Sequence, residues 1–254
     1  MSVGYDFSVT TLSQEGKIYQ LEYANKCVET SSTVFGIVCS DGIILAGEKI
    51  VQSKTIISGS NQIVYSITPN IGMAIGGHLP DGRNLVVRAK SESSSYFKNF
   101  GVEITGKILS ERIASYVSIH TLYWHMRPFG CVALISSIDQ DDFNVKNSHL
   151  HMIEANGNCF EYYACAQGKG RQFMKNEAEK NDFRLRKNTC KETIYDVVKL
   201  MIRSFEGEKE TEYDISVLSK DTNCKHQLID RKEINELVSK AKLQVEEDRK
   251  MQVD

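Results

Sequence analysis

The run Gly168-Lys169-Gly170-Arg171 puts two glycines and two cations ahead of an expected helix, where free backbone N–H groups could hold a phosphate. It lacks both the Walker spacing and a GxGxxG pattern, so the glycines read as a tight strand-to-helix turn with Lys169 and Arg171 in solvent. His149 and His151 share one face of an expected strand, as two metal ligands would, but no third ligand is evident. His120 and His125 have no HExxH framework, and Asp139, Asp141 and Asp142 lack the EF-hand spacing. Satisfied or solvated histidines and an ordinary surface loop are therefore expected, with no metal and no cofactor. Ser31, Ser32 and Thr33 line up three hydroxyls where a helix should end and a strand begin.

The elements that would position these groups follow from hydrophobic spacing. Ile18, Leu21, Ala24 and Val28 predict an amphipathic helix within 16–30, flanked by Tyr19 and Tyr23. Thr33 to Cys39 and Ile43 to Gly47 predict two strands joined across Asp41-Gly42, a dipeptide suited to a tight hairpin with positive φ. Ile63 to Ile67 and Ile71 to Gly76 predict two more strands.

Leu85, Val86, Ala89, Tyr96, Phe97 and Phe100 mark one helix, and Ile108, Leu109, Ile113, Tyr116, Val117 and His120 a second. Strands resume at Val132 to Ile138, Leu150 to Ile153 and Phe160 to Ala164, and another helix pair follows. In that pair Thr189 and Glu192 form a capping box ahead of Ile194, Val197, Val198, Met201, Ile202 and Phe205. A strand at Tyr213 to Leu218 leads to a last helix opened by Asp230 and Glu233 and carried by Ile234, Leu237, Val238 and Ala241. The remainder from Gln244 onward reads as solvated, and the mixed-charge end from Lys240 onward reads as a solvent-exposed helix end, with a regulator or chaperone site as the alternative.

Blocks of antiparallel strands alternating with helix pairs argue against a doubly wound parallel sheet. The expectation is an α+β protein with two sheets faced by helix pairs, built as one domain over 1–254. Thirty-one basic and 33 acidic residues leave a formal charge of −2, which offers no field for nucleic acid or an anionic membrane. Seven scattered cysteines without a CxxC pair or an export signal suggest reduced thiols and a cytoplasmic or nuclear location.

GYDFSVTTLSQEGKIYQLEYA at 4–24 resembles the amino-terminal signature of alpha-type 20S proteasome subunits. SSTVFGIVCSDGIILAGEK at 31–49, the GGHLPDGR turn at 76–83 and TLYWHMRPFGC at 121–131 are similar to further segments of that family. YYACAQGKGRQ at 162–172 narrows the likeness toward one alpha subtype. The resemblance implies a four-layer α-β-β-α sandwich of the amino-terminal-nucleophile hydrolase type. It divides the chain into a gate tail and leading helix (1–30), the sandwich (31–220), and a carboxy-terminal helix and tail (221–254).

It also implies a non-catalytic ring subunit. The related beta subunits use an amino-terminal threonine whose own α-amine assists, and that chemistry needs a free amine within reach of the hydroxyl. The matching position here is Ser32, placed behind a helix, with Glu48 and Val64 where beta subunits carry aspartate and lysine. Lys49 does not substitute, since neighbours on a strand point to opposite faces. The competing expectations are a self-processing hydrolase using Ser32 and a free-standing scaffold.

Tyr5, Asp6 and Tyr23 match the family's gate cluster, and Gln14 stands where proline is usual in its reverse turn. Gly77 matches the glycine of the pocket that takes regulator tails, and Ile63 stands where a basic residue is frequent. The implied partners are other alpha and beta subunits, regulatory particles such as the 19S cap, and unfolded substrates in transit.

Overall fold

A computed structural model describes residues 7–51, 53, 55–139, 148–180, 188–204 and 210–251. Tyr5, Asp6, Asp141, Asp142 and Phe205 lie outside the described residues.

Helix α1 spans Tyr19–Glu29 and precedes strands β1 (Val34–Val38), β2 (Gly42–Ile50), β3 (Val64–Thr68) and β4 (Ile71–Gly77). Helices α2 (Leu79–Phe100) and α3 (Gly106–Ile119) lead to β5 (Cys131–Ile138), β6 (Ser148–Ile153), β7 (Cys159–Glu161) and β8 (Ala164–Gln167). After α4 (Arg171–Lys180) and α5 (Cys190–Ser204) come β9 (Thr211–Ser219), β10 (His226–Leu228) and α6 (Arg231–Met251).

The strands form two five-stranded antiparallel sheets, in the orders β10-β9-β2-β1-β8 and β3-β4-β5-β6-β7. Strand alternation sorts their side chains into three apolar layers. Phe35, Ile37, Ile44, Ala46, Tyr213 and Ile215 face α5 and α6, meeting Val197, Met201, Ile234 and Val238. Val34, Leu45, Val64, Ala74, Leu134 and Leu150 fill the space between the sheets. Met73, Ile75, Ala133 and Ile135 pack under Leu85, Ala89, Leu109 and Ile113 of α2 and α3. This is the expected α-β-β-α order with a helix in front.

Several local expectations hold for stated reasons. The capping box forms reciprocally: Thr189 N–H donates to Glu192 Oε2 at 2.9 Å and Glu192 N–H to Thr189 Oγ1 at 3.4 Å. The hairpin at Asp41-Gly42 closes, with Cys39 N–H donating to Gly42 O at 2.7 Å. Its glycine serves another purpose than the one expected, because positive φ occurs elsewhere and not at position 42. A Cβ on Gly42 would lie 2.2 Å from Leu218 O, so the glycine lets β9 approach β2.

Three expectations are corrected. Residues 79–83 are the first turn of α2 and not a free turn; Pro80 suits that first turn, which has no use for its missing N–H. Gly82 sits there because a Cβ would meet Ile75 Cγ2 at 2.0 Å. The single strand expected over Phe160 to Ala164 is two strands in different sheets, β7 paired with β6 and β8 with β1. Finally, α6 runs on to Met251, and within the segment read as solvated Val245 is buried while Asp248 bonds Lys199 at 3.0 Å and also Arg203.

β10 escaped the sequence reading. It carries His226, whose Nδ1 meets Ser66 Oγ at 2.7 Å and Nε2 meets Ser216 Oγ at 2.8 Å, tying the two sheets together. Burial pushes that imidazole down to about 4, so it stays neutral.

Candidate functional site

The corner where α1 runs into β1 holds the three hydroxyls. Helix α1 ends at Glu29, with Thr30 as its cap. Ser31 Oγ donates to Val28 O at 2.7 Å and accepts from Gly77 N–H at 3.0 Å, fastening the helix end to the end of β4. Gly77 takes φ +98, and a Cβ there would lie 2.4 Å from Gly130 O. Thr33 N–H donates to Glu48 Oε2 at 3.3 Å, and Thr33 Oγ1 accepts from Gly170 N–H at 3.0 Å. Ser32 lies between them, half-buried, and its nitrogen is an ordinary peptide amide in mid-chain.

Glu48 and Lys49 are both buried, and they diverge. Glu48 points toward the side of the sheet that carries Thr33. Burial is the strongest influence on its carboxyl and pushes it up, against weaker opposition from the Thr33 hydrogen bonds and the Lys169 charge. Its Oε1 has no hydrogen-bond partner. Lys49 points between the sheets, where Nζ bonds Asp214 Oδ1 at 2.7 Å and lies 3.4 Å from Glu212. Asp214 Oδ2 accepts from Ile63 N–H at 3.0 Å, so this one carboxylate fixes both Lys49 and the start of β3. Val64, at the position compared with the catalytic lysine, is part of the apolar inter-sheet layer.

Of the residues compared with the gate, Gln14 and Tyr23 are exposed. Phe7 stacks on Tyr19 with ring centroids 6.1 Å apart, and Gln20 Nε2 donates to Phe7 O at 3.1 Å, holding the start of the described chain against α1. Ile63 and Gly77 lie near one another at the β3–β4 edge, where Ile75 N–H donates to Ile63 O at 2.9 Å. The Ile63 side chain is only 3% exposed and packs over Gly47, whose Cβ would meet Ile63 Cδ1 at 2.3 Å.

Sequence reasoning missed the clamp behind Gly77. Asp81 receives Arg127 Nη2 on Oδ1 at 2.7 Å, and Arg127 Nη1 at 2.8 Å and Gly130 N–H at 2.9 Å on Oδ2. The acid of GGHLPDGR and the base of RPFGC thus meet, a complementarity visible only once the two motifs are known to be neighbours.

Most of the motifs set aside are explained locally, while His151 is buried with its Nδ1 unpartnered. Lys169 N–H donates to Ser31 O, Gly170 N–H to Thr33, and Arg171 bonds Glu29 at 2.6 Å, leaving that helix start engaged by protein groups. His120 Nδ1 lies 3.1 Å from Tyr116 O, and its ring stacks on Phe129 at 4.3 Å. His149 Nδ1 meets Glu161 at 2.6 Å. Among the described residues no three His, Cys, Asp or Glu side chains are grouped to hold a metal ion, and no helix is long and apolar enough to cross a membrane. All seven cysteines are free thiols; burial raises Cys159 to about 11 and Cys165 to about 12.

Two antiparallel sheets between helix pairs, led by a helix that precedes β1, define an amino-terminal-nucleophile hydrolase type of sandwich. Residues 28–218 match the family described as proteasome subunit, and residues 5–26 match the N-terminal signature of A-type proteasome subunits. The chain belongs to the proteasome subunit family, as an alpha-type member. It is 42% identical over 231 residues, 90% of each chain, to an alpha type-3 proteasome subunit from Oryza sativa subsp. japonica. It is 40% identical over 246 residues, 96% of each, to one from Dictyostelium discoideum. With a probable alpha type-7 proteasome subunit from Saccharomyces cerevisiae it shares 34% identity over 218 residues, 85% of this chain and 74% of that one. Membership makes other proteasome subunits its assembly partners.

Proposed function

We propose that this chain is a non-catalytic subunit of the 20S alpha ring, of the type-3 kind that fills the seventh ring position, contributing to assembly, gating of substrate admission and docking of regulatory particles. The observation that carries the non-catalytic reading is the state of Ser32. Its nitrogen is locked in a peptide bond behind α1, so no α-amine is available as base. Glu48 is buried with a raised pKa, and Val64 supplies no cation. The self-processing alternative would require cleavage ahead of Ser32 to free that amine, an ionised carboxylate at Glu48 and a cation at the position of Val64.

As a gate element, the chain offers Tyr5, Asp6, Gln14 and Tyr23 at and beyond the front of α1. At the pocket for regulator tails, Gly77 supplies a rim and the buried Ile63 no charge, which supports weak or altered binding on this side. Unfolded substrates pass through the assembly, and its location is the cytoplasm and nucleus.

The test uses endogenous particles. Native mass spectrometry should find the chain in heteromeric particles of proteasome size, with a mature amino terminus upstream of Ser32, and Ser32→Ala should leave peptide hydrolysis by those particles unchanged. A mature chain beginning at Ser32, or peptide cleavage by the isolated polypeptide, would overturn the reading.

A further inference from the structure

We propose that Trp124 is an anchor by which this chain packs onto an adjacent alpha-type subunit; the inference rests on the ring-subunit reading above and names a contact within it. Trp124 is the chain's single tryptophan and is 78% exposed. It sits in the α3–β5 connection with Leu122 and Tyr123, just past Ile119 at the end of α3, all exposed too. Large apolar side chains exposed this close together in sequence are a signature of an interface, and an exposed tryptophan is its natural centre, since aromatic residues dominate interface energetics.

The surroundings say what kind of partner fits. Trp124 lines a groove of about 470 Å³ with His125, Met126 and Pro128 on one side and Phe7, Val9 and Gln20 on the other. The second wall belongs to the residues that match the alpha-type amino-terminal signature. The patch is therefore continuous with the part of the chain that defines the alpha type, which favours an alpha-type neighbour over a beta-type one.

Charge points the same way. Arg127, the groove's one arginine, is exposed but has its charge paired two-pronged with Asp81 and a further bond to the carbonyl of Pro128, so it offers a phosphate or a lipid headgroup no unpaired charge. The complement is an apolar pocket on protein, with an acceptor for the indole N–H. The base of the anchor is stiff: Arg127 is held to α2, and Phe129 packs between Tyr116 and His120 at 5.8 and 4.3 Å. A preorganised anchor loses little freedom on docking.

The test places a photo-crosslinking benzoylphenylalanine at position 124 of the full chain and irradiates intact particles. Crosslinking to an alpha-type subunit is expected. A crosslink to a beta-type subunit, to a regulatory particle or within the same chain, or particles that contain the chain without any crosslink, would overturn the anchor while leaving the ring reading intact. Absence of the unmodified chain from particles would overturn both. In competition for incorporation with the wild-type chain, Trp124→Ala should be disfavoured about tenfold and Trp124→Phe much less, as truncation of a central aromatic anchor requires. Equal incorporation of Trp124→Ala would overturn the proposal.

Discussion

Replacing Asp81 by alanine should destabilise the chain more than replacing its partner Arg127, although each substitution removes the same ion pair. The reason is where each end of the clamp lies. The Asp81 side chain is 10% exposed and the Arg127 side chain 65%. Without Asp81, the Gly130 amide loses its acceptor in a buried position, a cost of about 1–3 kcal/mol. Loss of the ion pair with an exposed guanidinium adds about 0.2–1 kcal/mol. Without Arg127, water reaches the open side of the carboxylate and the Gly130 hydrogen bond survives, so the cost stays near 1 kcal/mol or below. At about 2–4 °C per kcal/mol for a chain of this size, Asp81→Ala should lower Tm by roughly 2–16 °C and Arg127→Ala by roughly 4 °C or less, the first always by more than the second. Thermal unfolding of the purified chain reads the order, and hydrogen exchange at the Gly130 amide reads the cause.

Acid should expose the same clamp. Burial pulls the Asp81 carboxyl upward, but the hydrogen bonds from Arg127 and Gly130 and the Arg127 charge outweigh it and hold the group below its ordinary 3.8. A group depressed by folding contributes stability above its unfolded pKa and loses it as pH falls through the folded value. The difference between wild type and Asp81→Asn should therefore be constant above about pH 5 and shrink below pH 4. An Arg127→Ala penalty equal to that of Asp81→Ala, or unchanged Gly130 exchange in Asp81→Ala, would refute the reasoning.

Three further outcomes follow from the same corner of the fold. Asp214→Ala should cost about 1–3 kcal/mol in denaturant unfolding, since it strands the Ile63 amide and leaves the buried Lys49 only Glu212 at 3.4 Å, whereas the pair Lys49→Met with Asp214→Asn should come within about 1 kcal/mol of wild type. Gly77→Ala, forced to φ +98 with its Cβ 2.4 Å from Gly130 O, should lose at least about 2 kcal/mol and lower the yield of assembled particles. Glu48→Gln should match or exceed wild-type stability at neutral pH, because a carboxyl raised by folding weakens the fold as pH climbs from its unfolded value to its folded one; unfolding curves at pH 4 and 7 would show the gap opening only at the higher pH.

What the sequence revealed was local. Thr189 and Glu192 signal a cap within four residues, and the stripe at Val197, Val198 and Met201 needs no knowledge of partners. What it hid was decided across the chain. Nothing in Phe160 to Ala164 says that a strand must stop and resume in the other sheet, because that choice rests on pairing with β6 and β1. Pro80-Asp81-Gly82 looks like a turn until Ile75 is seen to occupy the place of a Cβ on Gly82. Val245 did have a signal: it continues the spacing of Ile234, Val238 and Ala241, and the surrounding charges masked it.

Glu48 and Lys49 explain why a hydrolase sandwich can be kept without its chemistry. The two are adjacent, and strand alternation sends one toward Thr33 and the other between the sheets. Lys49 is committed to Asp214 and, through it, to the Ile63 amide, so its charge stabilises the strand pairing and is unavailable to lower the pKa of a hydroxyl at Ser32. Glu48 is pushed toward its neutral form, and the amine that would act as base is a peptide nitrogen behind α1. Ser32→Thr alone should therefore create no peptidase activity, since the nitrogen at 32 stays in a peptide bond and Val64 stays in the apolar layer between the sheets. In the same corner α1 is fastened by Ser31 to Gly77 and stands next to Phe7 and Trp124.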